Sequence, residues 1–319
     1  MNIDDYRYIL TIAEEGSITK AAQKLYITQP ALSQRLKVIN SNYGVELFTS
    51  GSSGIYLTQE GRCFVKYARE ILSCETSLRQ ELADLQGLKT GTLRIGTSQL
   101  SNSVFFQTVV AEFHKAFPEI RLDFVEQPSR HLLTQLGSGQ IDIGILHNGA
   151  GLLKKAIGHP EPLRYENLFQ DRLILLPRAG SELERRAQTL RRETGAAPTI
   201  SPRDLADEPL ALPDLGTRSC ALFMDICRAG GVTPQINHWS RNYATLSSLA
   251  VMGLASAVML ESFLSSSSSR SMYYFDTAEP DSIPMVIAWP NNQYLSRIAQ
   301  EFITLSKQHG TQEGPRRPA

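Results

Sequence analysis

A chain of 319 residues with 42% hydrophobic composition is long enough for two or three domains that each bury a core, which excludes a disordered protein. The 32 Lys and Arg residues balance the 32 Asp and Glu residues, so any basic surface must be local. The start MNIDDYRYIL lacks the layout of a signal peptide, and no apolar run approaches the roughly 20 residues of a membrane span. We therefore expect a cytoplasmic protein with no membrane partner.

Cysteine and histidine usage gives no indication of a metal site. The four cysteines are few for a disulfide scaffold, and the six histidines are scattered. We expect ordinary buried thiols and no cofactor. Cys220 and Cys227 lie seven residues apart on a predicted helix, which leaves redox sensing as an alternative.

Three short helices are predicted at the N-terminus. The first begins near Ile3 and ends at Gly16, and Ser17 caps the second. Thr28 caps the third helix, and Pro30 lies in its first turn, where a missing N–H does no harm. Two short helices joined by a tight turn are typical of a helix-turn-helix, although periodicity alone also fits a surface helix of a small bundle.

The third helix has an apolar face and a polar face. The apolar face is predicted from Ala31, Leu32, Leu36 and Ile39. Amides, hydroxyls and a cation point outward from Gln29, Ser33, Gln34 and Lys37, with Arg35 beside them. Residues 17–66 contain six Lys or Arg and two Glu, a modest excess of positive charge in the direction that DNA binding requires.

The string GSITKAAQKLYITQPALSQRLKVIN, followed by YGVELF and GIYLTQEG, resembles the signature of the LysR-type transcriptional regulators. The resemblance covers roughly residues 1–62 and implies a winged helix-turn-helix whose third helix enters the major groove. The segment 48–57 would form the wing. The residues implied to contact double-stranded DNA are Ser17, Thr28, Gln29, Pro30, Ser33, Gln34, Arg35 and Lys37.

Two features depart from the family pattern. Gln34 and Arg35 stand where the family usually has Arg and then Gln, so the residue that contacts bases can differ. Residues 49–54 lack the arginines that commonly bind phosphate in the wing. Because each lost phosphate contact lowers affinity and flattens its salt dependence, we expect weaker DNA binding than usual.

A long helix is predicted at residues 58–88, with no proline between Thr58 and Gly87. Thirty residues at about 1.5 Å each span roughly 45 Å, more than a small domain needs. The family resemblance implies an antiparallel dimer helix that presents two recognition helices to an interrupted palindrome. The alternative is a helix packed on its own domain. The apolar side chains of the expected dimer face are Phe64, Ile71, Leu78, Leu82 and Leu85.

An α/β region follows a predicted hinge at 87–91. Strands at 92–97, 120–126 and 141–146 alternate with helices at 104–117 and 130–136, which predicts a mostly parallel sheet covered by helices. A second unit begins at Leu173. Its predicted strands are 173–177, 235–239 and 255–260 and its helices 219–229 and 243–252; a strand at 284–290 and a helix at 294–307 complete the chain.

The segments FHKAFPEIRLDFVE, LGSGQIDIGIL, DLADEPL and LAVMGLASAVML resemble the effector domain of the same family. The resemblance implies a two-lobed α/β fold similar to periplasmic solute-binding proteins, with chain crossings near 166–168 and 265–269. Residues 182–199 are predicted as a solvated helical insertion. The expected division is subdomain I at 91–167 and 270–308, subdomain II at 168–269, and a disordered tail at 309–319.

Polar residues follow the predicted strands, at the edge where ligands of open α/β sheets bind. Hydroxyls, amides and one arginine suit an anionic or polar small-molecule effector. The alternative for the threonines and serines is that they only cap helices. The candidate effector-binding residues are Thr97, Ser98, Gln99, Gln127, Pro128, Ser129, His147, Thr217, Arg218 and Ser219.

The sequence therefore predicts a transcriptional regulator and not an enzyme, because it contains no recognisable nucleophile elbow, P-loop, dinucleotide fingerprint or metal cluster. A transport binding protein is disfavoured by the helix-turn-helix. A constitutive DNA-binding protein that has lost its effector stays open. The implied partners are DNA, a small molecule and a second copy of the chain, with dimers pairing into tetramers and RNA polymerase as a further candidate.

Overall fold

The computed structural model describes residues 1–51, 54–87, 90–97, 104–147, 163–264, 271–278, 281–291 and 293–313. Within these ranges the chain forms an N-terminal domain, one long helix and two α/β lobes. None of the helices in these ranges is long and apolar enough to cross a membrane. Ser98, Gln99 and the predicted crossing at 265–269 lie outside the described residues.

The N-terminal domain consists of three helices and a two-stranded wing: α1 (Ile3–Glu15), α2 (Ile18–Lys24), α3 (Gln29–Tyr43), β1 (Phe48–Gly51) and β2 (Gly54–Leu57). The predicted caps are present, because the hydroxyls of Ser17 and Thr28 accept backbone N–H groups of α2 and α3. Gly16 ends α1 in the left-handed conformation that favours glycine. The structure thus confirms the winged helix-turn-helix.

The core of this domain differs from expectation at one position. Leu32, Leu36 and Ile39 are buried as predicted, but Ala31 is exposed. Successive residues of a helix are rotated by about 100°, which places Ala31 to one side of the buried stripe. Asn40 occupies the stripe instead, and its amide donates to Glu46 at 2.6 Å.

One long helix, α4 (Gln59–Leu85), leaves the N-terminal domain. Val65 and Ala68 are buried in the N-terminal core, which ties the start of α4 to that domain. Gly61 permits this packing: a Cβ atom there would lie 1.9 Å from the carbonyl oxygen of Leu47. Glycine is therefore required by the close approach of two backbones.

Lobe I follows α4 and has the predicted β-α-β-α-β order. Its elements are β3 (Gly91–Thr97), α5 (Val104–Ala116), β4 (Ile120–Glu126), α6 (Ser129–Gly137) and β5 (Ile143–His147). Strand β3 lies between β4 and β5 and is parallel to both. Helix α5 packs on one face of the sheet and α6 on the other, so the strands are covered on both sides.

Lobe II is built from β6 (Leu163–Leu176), α7 (Glu182–Thr194), β7 (Thr199–Ile200), β8 (Leu210–Pro213), α8 (Arg218–Ala229), β9 (Ile236–Ser240), α9 (Tyr243–Val251), β10 (Ser256–Leu260) and β11 (Tyr273–Phe275). The chain ends with β12 (Ser282–Pro290) and α10 (Arg297–Glu313). The main path of the sheet runs β4-β3-β5-β12-β6-β10-β8-β9. The predicted insertion is helical: α7 buries Ala187 against lobe II and exposes its arginines.

Two antiparallel strands, β6 and β12, connect the lobes side by side. Leu168 and Met285 belong to the core of lobe I, whereas Leu173 and Ile283 belong to the core of lobe II. Both crossings therefore occur within continuous strands. At the crossing, the guanidinium of Arg172 donates to Asp281 at 2.7 Å, which holds the two strands together on their lobe II side.

The boundaries differ from those expected in two places. Residues 273–275, expected in subdomain I, form β11 and pair with β6 and β7 in lobe II, because their three aromatic side chains are buried in its core. The return to lobe I occurs in β12. Residues 309–313, expected to be disordered, continue α10, and His309 is bonded to Glu112 of α5 at 2.9 Å.

The Gly61 contact predicts a stability effect. Gly61→Ala should lower the free energy of unfolding by about 1–3 kcal/mol, because the added methyl overpacks a backbone-to-backbone contact. Gly216→Ala is the control, since no atom lies within 4 Å of a Cβ at that position. Thermal denaturation followed by circular dichroism measures both. Equal midpoints for Gly61→Ala and the wild type would contradict the assignment.

Candidate functional site

The outward face of α3 is the candidate DNA interface. Gln29, Gln34 and Lys37 are exposed, and Ser33 is half-buried. The amide of Gln29 donates to the hydroxyl of Ser33 at 2.8 Å, so these two side chains form one polar unit on the helix surface. Amides and hydroxyls that project from a recognition helix can donate to and accept from base edges in the major groove.

Tyr26, in the turn before α3, was not singled out by sequence reasoning. It is the one non-glycine residue with positive φ in the described part of the chain, at 56°, and its side chain is 96% exposed. The backbone N–H of Ile27 donates to the carbonyl of Ala22 at 3.0 Å, which ends α2 with a left-handed cap. A hydroxyl beside the recognition helix is available for a phosphate contact.

Arg35 does not share the outward orientation of its neighbours. Its Nε and Nη2 atoms both donate to the carboxylate of Asp5, the second at 2.6 Å. Asp5 is fully buried, whereas the Arg35 side chain is 37% exposed. Arg35 thus bridges α3 to α1, and this pairing was not visible in the sequence because the residues are thirty positions apart.

The wing carries no charge over its described residues. Thr49 and Ser50 are exposed, and neither 48–51 nor 54–57 contains a cation. The backbone N–H of Ile55 donates to the carbonyl of Gly16 at 3.1 Å, so the wing is fixed to the turn between α1 and α2. A phosphate contact made by the described part of the wing would use hydroxyls and backbone N–H groups.

An apolar stripe on α4 is exposed. Its side chains are 37% to 79% exposed: Tyr67, Ile71, Leu78, Leu82 and Leu85. The first two also line a groove of about 630 Å³, which is bounded by Tyr6 and Tyr43 of the N-terminal domain and by Phe64 of α4. Phe64, expected on the dimer face, is half-buried because its ring packs on both tyrosines. A contiguous apolar stripe and groove indicate a surface that another protein chain covers.

A second face of α4 is docked on lobe I through polar contacts. The Asp84 carboxylate accepts from the hydroxyl of Tyr294 at 2.9 Å and from the backbone N–H of Arg297, at the start of α10, at 2.7 Å. The amide of Gln80 donates to Asp142 at 2.8 Å. Burial raises the pKa of Asp142, which also accepts from a backbone N–H of β3. The linker helix is therefore held by lobe I.

On the lobe I side of the cleft, the carboxyl ends of three neighbouring parallel strands meet as predicted. Thr97 ends β3 and is fully buried, and its carbonyl accepts from the backbone N–H of Gln127 at 3.2 Å. Gln127 and Pro128 are exposed, and Ser129 begins α6. His147 ends β5, with a side chain 13% exposed.

On the lobe II side, two of the three predicted residues are engaged at the start of α8. Thr217 caps the helix by accepting from the N–H of Cys220, and it donates to the carbonyl of Asp214 at 2.7 Å. Ser219 is buried and bonds the hydroxyl of Tyr243 at 2.9 Å. Arg218 is exposed, and within the described residues it has no ion pair. Thr217 therefore acts as a helix cap, as the alternative expected. Arg218 is free to contact a ligand.

A buried hydrogen-bonded cluster joins the lobes. The Asp171 carboxylate on β6 is fully buried and accepts from Nε2 of His147 at 2.8 Å. It also accepts from the backbone N–H and the hydroxyl of Ser262, at 3.0 and 2.6 Å. Next to it, the ring of Phe263 stacks on Tyr243, with centroids 4.2 Å apart, and lies 6.2 Å from His147. Predicted residues from both lobes are thereby connected.

Sequence reasoning missed the residues that make this connection: Asp171, Ser262, Phe263 and Tyr243. Asp171 offered one signal, since it is an acidic residue two positions before the buried run LILL. Ser262 and Phe263 follow a buried strand, as the other candidates do, but the connecting segment contains no distinctive motif. Only their positions in the fold identify them.

The cysteines of α8 do not support redox sensing. Cys220 and Cys227 are both buried, and burial raises the pKa of Cys220 and raises that of Cys227 to about 11. Seven residues of helix separate them by about 10 Å, beyond the reach of a disulfide. Among the described residues, no group of three or more His, Cys, Asp or Glu side chains could hold a metal ion.

Comparison with known proteins gives two family matches. Residues 3–62 match "Bacterial regulatory helix-turn-helix protein, lysR family", and residues 86–311 match "LysR substrate binding domain". The chain is 28% identical to the "Uncharacterized HTH-type transcriptional regulator YvbU" of Bacillus subtilis (strain 168), over 97% of this chain and 98% of the relative.

Two solved structures share the fold along nearly the whole chain. A full-length OxyR variant from Pseudomonas aeruginosa has a TM-score of 0.63 at 20% identity, covering 97% of each chain. Full-length CbnR in complex with its target DNA has a TM-score of 0.59 at 18% identity, covering 97% of this chain and 100% of that one. At these identities the likeness is one of fold.

The Asp171 cluster predicts coupled stability of the two lobes. Asp171→Ala leaves the buried donors of His147 and Ser262 without an acceptor, which should cost about 3 kcal/mol. Hydrogen exchange of backbone amides should rise in β5 of lobe I and at Ser262 of lobe II together. Asp123→Ala is the matched control, because Asp123 forms a surface pair with Arg121. Faster exchange in one lobe alone would show that the cluster does not couple them.

Proposed function

The chain belongs to the LysR family of DNA-binding transcriptional regulators, and from that membership we propose that it responds to a small polar or anionic effector bound between its lobes. One observation carries the proposal: predicted effector residues of both lobes meet around a single buried cluster, in which His147 bonds Asp171 and Ser219 bonds Tyr243. A ligand that contacts this region touches both lobes. It can therefore favour one lobe arrangement over another, which is the requirement for regulation.

The proposed effector site has a polar wall on each side. Gln127 is exposed at the lobe I edge, and Arg218 is exposed at the start of α8 in lobe II. The N-terminus of α8 presents backbone N–H groups beside that arginine, an arrangement that favours carboxylate or phosphate groups. We expect Ser98 and Gln99, which lie outside the described residues, to belong to the same site.

The effector hypothesis is tested by a thermal-shift screen of carboxylates, phosphates and neutral polar metabolites on the full-length protein. A compound that binds the folded state raises the unfolding midpoint. Calorimetric titration of that compound should then show that Gln127→Ala and Arg218→Ala each weaken binding by about tenfold or more, since hydrogen bonds to charged groups contribute roughly 1.5–3 kcal/mol.

The control is Arg228→Ala, at the opposite end of α8, where the arginine pairs with Asp225 on the surface. Undiminished binding in Gln127→Ala and Arg218→Ala would place the pocket elsewhere. A screen in which no compound shifts the midpoint would favour the alternative of a constitutive DNA-binding protein. Loss of promoter binding in the absence of effector would instead assign the residues a structural role.

DNA binding is proposed to use the outward residues of α3 for bases, and Ser17, Thr28, Lys37 and the wing for phosphates. These side chains lie at helix starts or on the exposed face of α3, where they can meet the groove and its backbone. Since the regulator acts on chromosomal DNA, we place it in the cytoplasm.

We propose that two copies of the chain pair through the apolar stripe of α4 in antiparallel fashion. If Ile71 faces Leu78 of the partner copy, the same register places Phe64 opposite Leu85, so the apolar end of one helix fills the groove beside the start of the other. A twofold axis then passes beside Cys74, which is exposed.

The register predicts a disulfide between the two copies of Cys74 after mild oxidation. A reducible dimer should form in the wild type and in Cys63→Ser, and it should be lost in Cys74→Ser. Leu78→Glu should give a smaller species in light scattering, because the interface would bury an unpaired charge. Arg62→Glu, at an exposed position on the opposite side of the same helix, is its control. An unchanged oligomer for Leu78→Glu would restore the interpretation of α4 as a helix packed only on its own chain.

Pairing of dimers into tetramers is proposed to use the effector region. The outermost strands of the main sheet, β4 and β9, carry Phe124 and Trp239, which are 44% and 41% exposed. An edge strand with an exposed aromatic residue is a surface on which another chain can pack.

A further inference from the structure

We propose that Arg35 is a positioning residue that fixes the recognition helix α3 to α1, and that Gln34 contacts the bases. The two residues are adjacent on α3, so their side chains leave the helix about 100° apart. Gln34 projects from the exposed face, whereas Arg35 lies at its border and reaches α1. The order of these two residues is reversed relative to the family pattern. Gln34 would thus contact the bases, and Arg35 would hold the helix in position.

The Asp5 carboxylate holds the Arg35 guanidinium on α1 through hydrogen bonds. Both of its oxygens accept from Arg35, and one of them also accepts from the backbone N–H of Asn2 at 2.8 Å. Asp5 is fully buried and forms a reciprocal cap with Asn2 at the start of α1. Withdrawal of Arg35 toward DNA would leave a buried carboxylate without a counter-charge, which is strongly unfavourable.

The pairing also occupies one of the two edges through which an arginine can recognise a base. Nε and Nη2 form the side-on fork, one of the two forks with which an arginine can donate to two acceptors of one guanine, and Nη2 belongs to both forks. In this structure that fork is directed at Asp5. The exposed amide of Gln34 has no comparable partner within the described residues. An amide can both donate to and accept from a base edge.

The same contacts determine the protonation state of Asp5. Burial tends to raise the pKa of the carboxyl, but the hydrogen bonds from Arg35 and from the N–H of Asn2 outweigh it and lower the pKa. Asp5 is therefore ionised at neutral pH. A depressed pKa means that the stability from the pair is present above the ordinary pKa of aspartate and is lost as the pH falls through the folded-state value.

The test compares full-length variants on DNA. A randomised duplex library is enriched on the wild type, and the resulting consensus duplex serves as the probe for affinity. Asp5→Asn and Arg35→Ala should each weaken probe binding by about tenfold, and the double variant should be no weaker than either one, as expected for residues that act as a unit. Base preference in the enriched library should stay unchanged in both. Gln34→Ala should alter it at one base pair.

Asp4→Asn is the matched control, because Asp4 is exposed on the same turn of α1 and pairs with Arg7 rather than with α3. Arg35→Lys keeps a cation beside Asp5 and protects folding while removing the fork. It should keep the base preference of the wild type at lower affinity. The difference in unfolding midpoint between wild type and Arg35→Ala should shrink as the pH falls below the ordinary pKa of aspartate, about 3.9, because acid neutralises the paired Asp5 only there.

Three outcomes would overturn the proposal. Altered preference at a single base pair in Arg35→Lys or Arg35→Ala, with Asp5→Asn binding as tightly as the wild type, would show that Arg35 leaves Asp5 and contacts a base. A midpoint difference independent of pH would show that the charge pair does not hold α3. Unchanged preference in Gln34→Ala would remove the role assigned to that amide.

Discussion

The structure depends on one helix that must satisfy three surfaces at once. Val65 and Ala68 of α4 complete the core of the DNA-binding domain, and Asp84 is bonded to the start of α10 in lobe I. The remaining face exposes Leu78 and Leu82. Because one rigid rod serves all three, a displacement of lobe I would move the helix and, through it, the recognition helix. The helix and lobe I are held together by polar contacts, which can rearrange at lower cost than a close-packed apolar core.

The connection between the lobes is equally specific. Strands β6 and β12 cross side by side. Within β6, Asp171 accepts hydrogen bonds from His147 of β5 and from the segment after β10. A buried carboxylate stabilises an arrangement only while its donors are in place, so any relative movement of the lobes must break or exchange these hydrogen bonds. An effector between the lobes can supply replacements, and its differential contacts then set the position of the equilibrium.

The candidate DNA interface contains few free positive charges. The described part of the wing has no cation, and Arg35 is committed to Asp5, so α3 presents mainly amides and hydroxyls to the groove. We expect such a surface to make few phosphate ion pairs, and the weak binding with shallow salt dependence expected from the sequence stays a prediction. Affinity would then rely on two recognition helices held at a fixed spacing, which the proposed pairing of α4 would set.

The sequence by itself determined the elements and the family. Local signals were sufficient for the caps at Ser17 and Thr28 and for the β-α-β order of lobe I, because capping and periodicity act within a few residues. The winged helix-turn-helix was predicted from the resemblance to the family. Only the tertiary structure decided that Arg35 pairs with Asp5, that β11 belongs to lobe II, and that Asp171 connects His147 to Ser262. These contacts join residues distant along the chain, and no local propensity encodes which buried charge will meet which donor once the elements have packed.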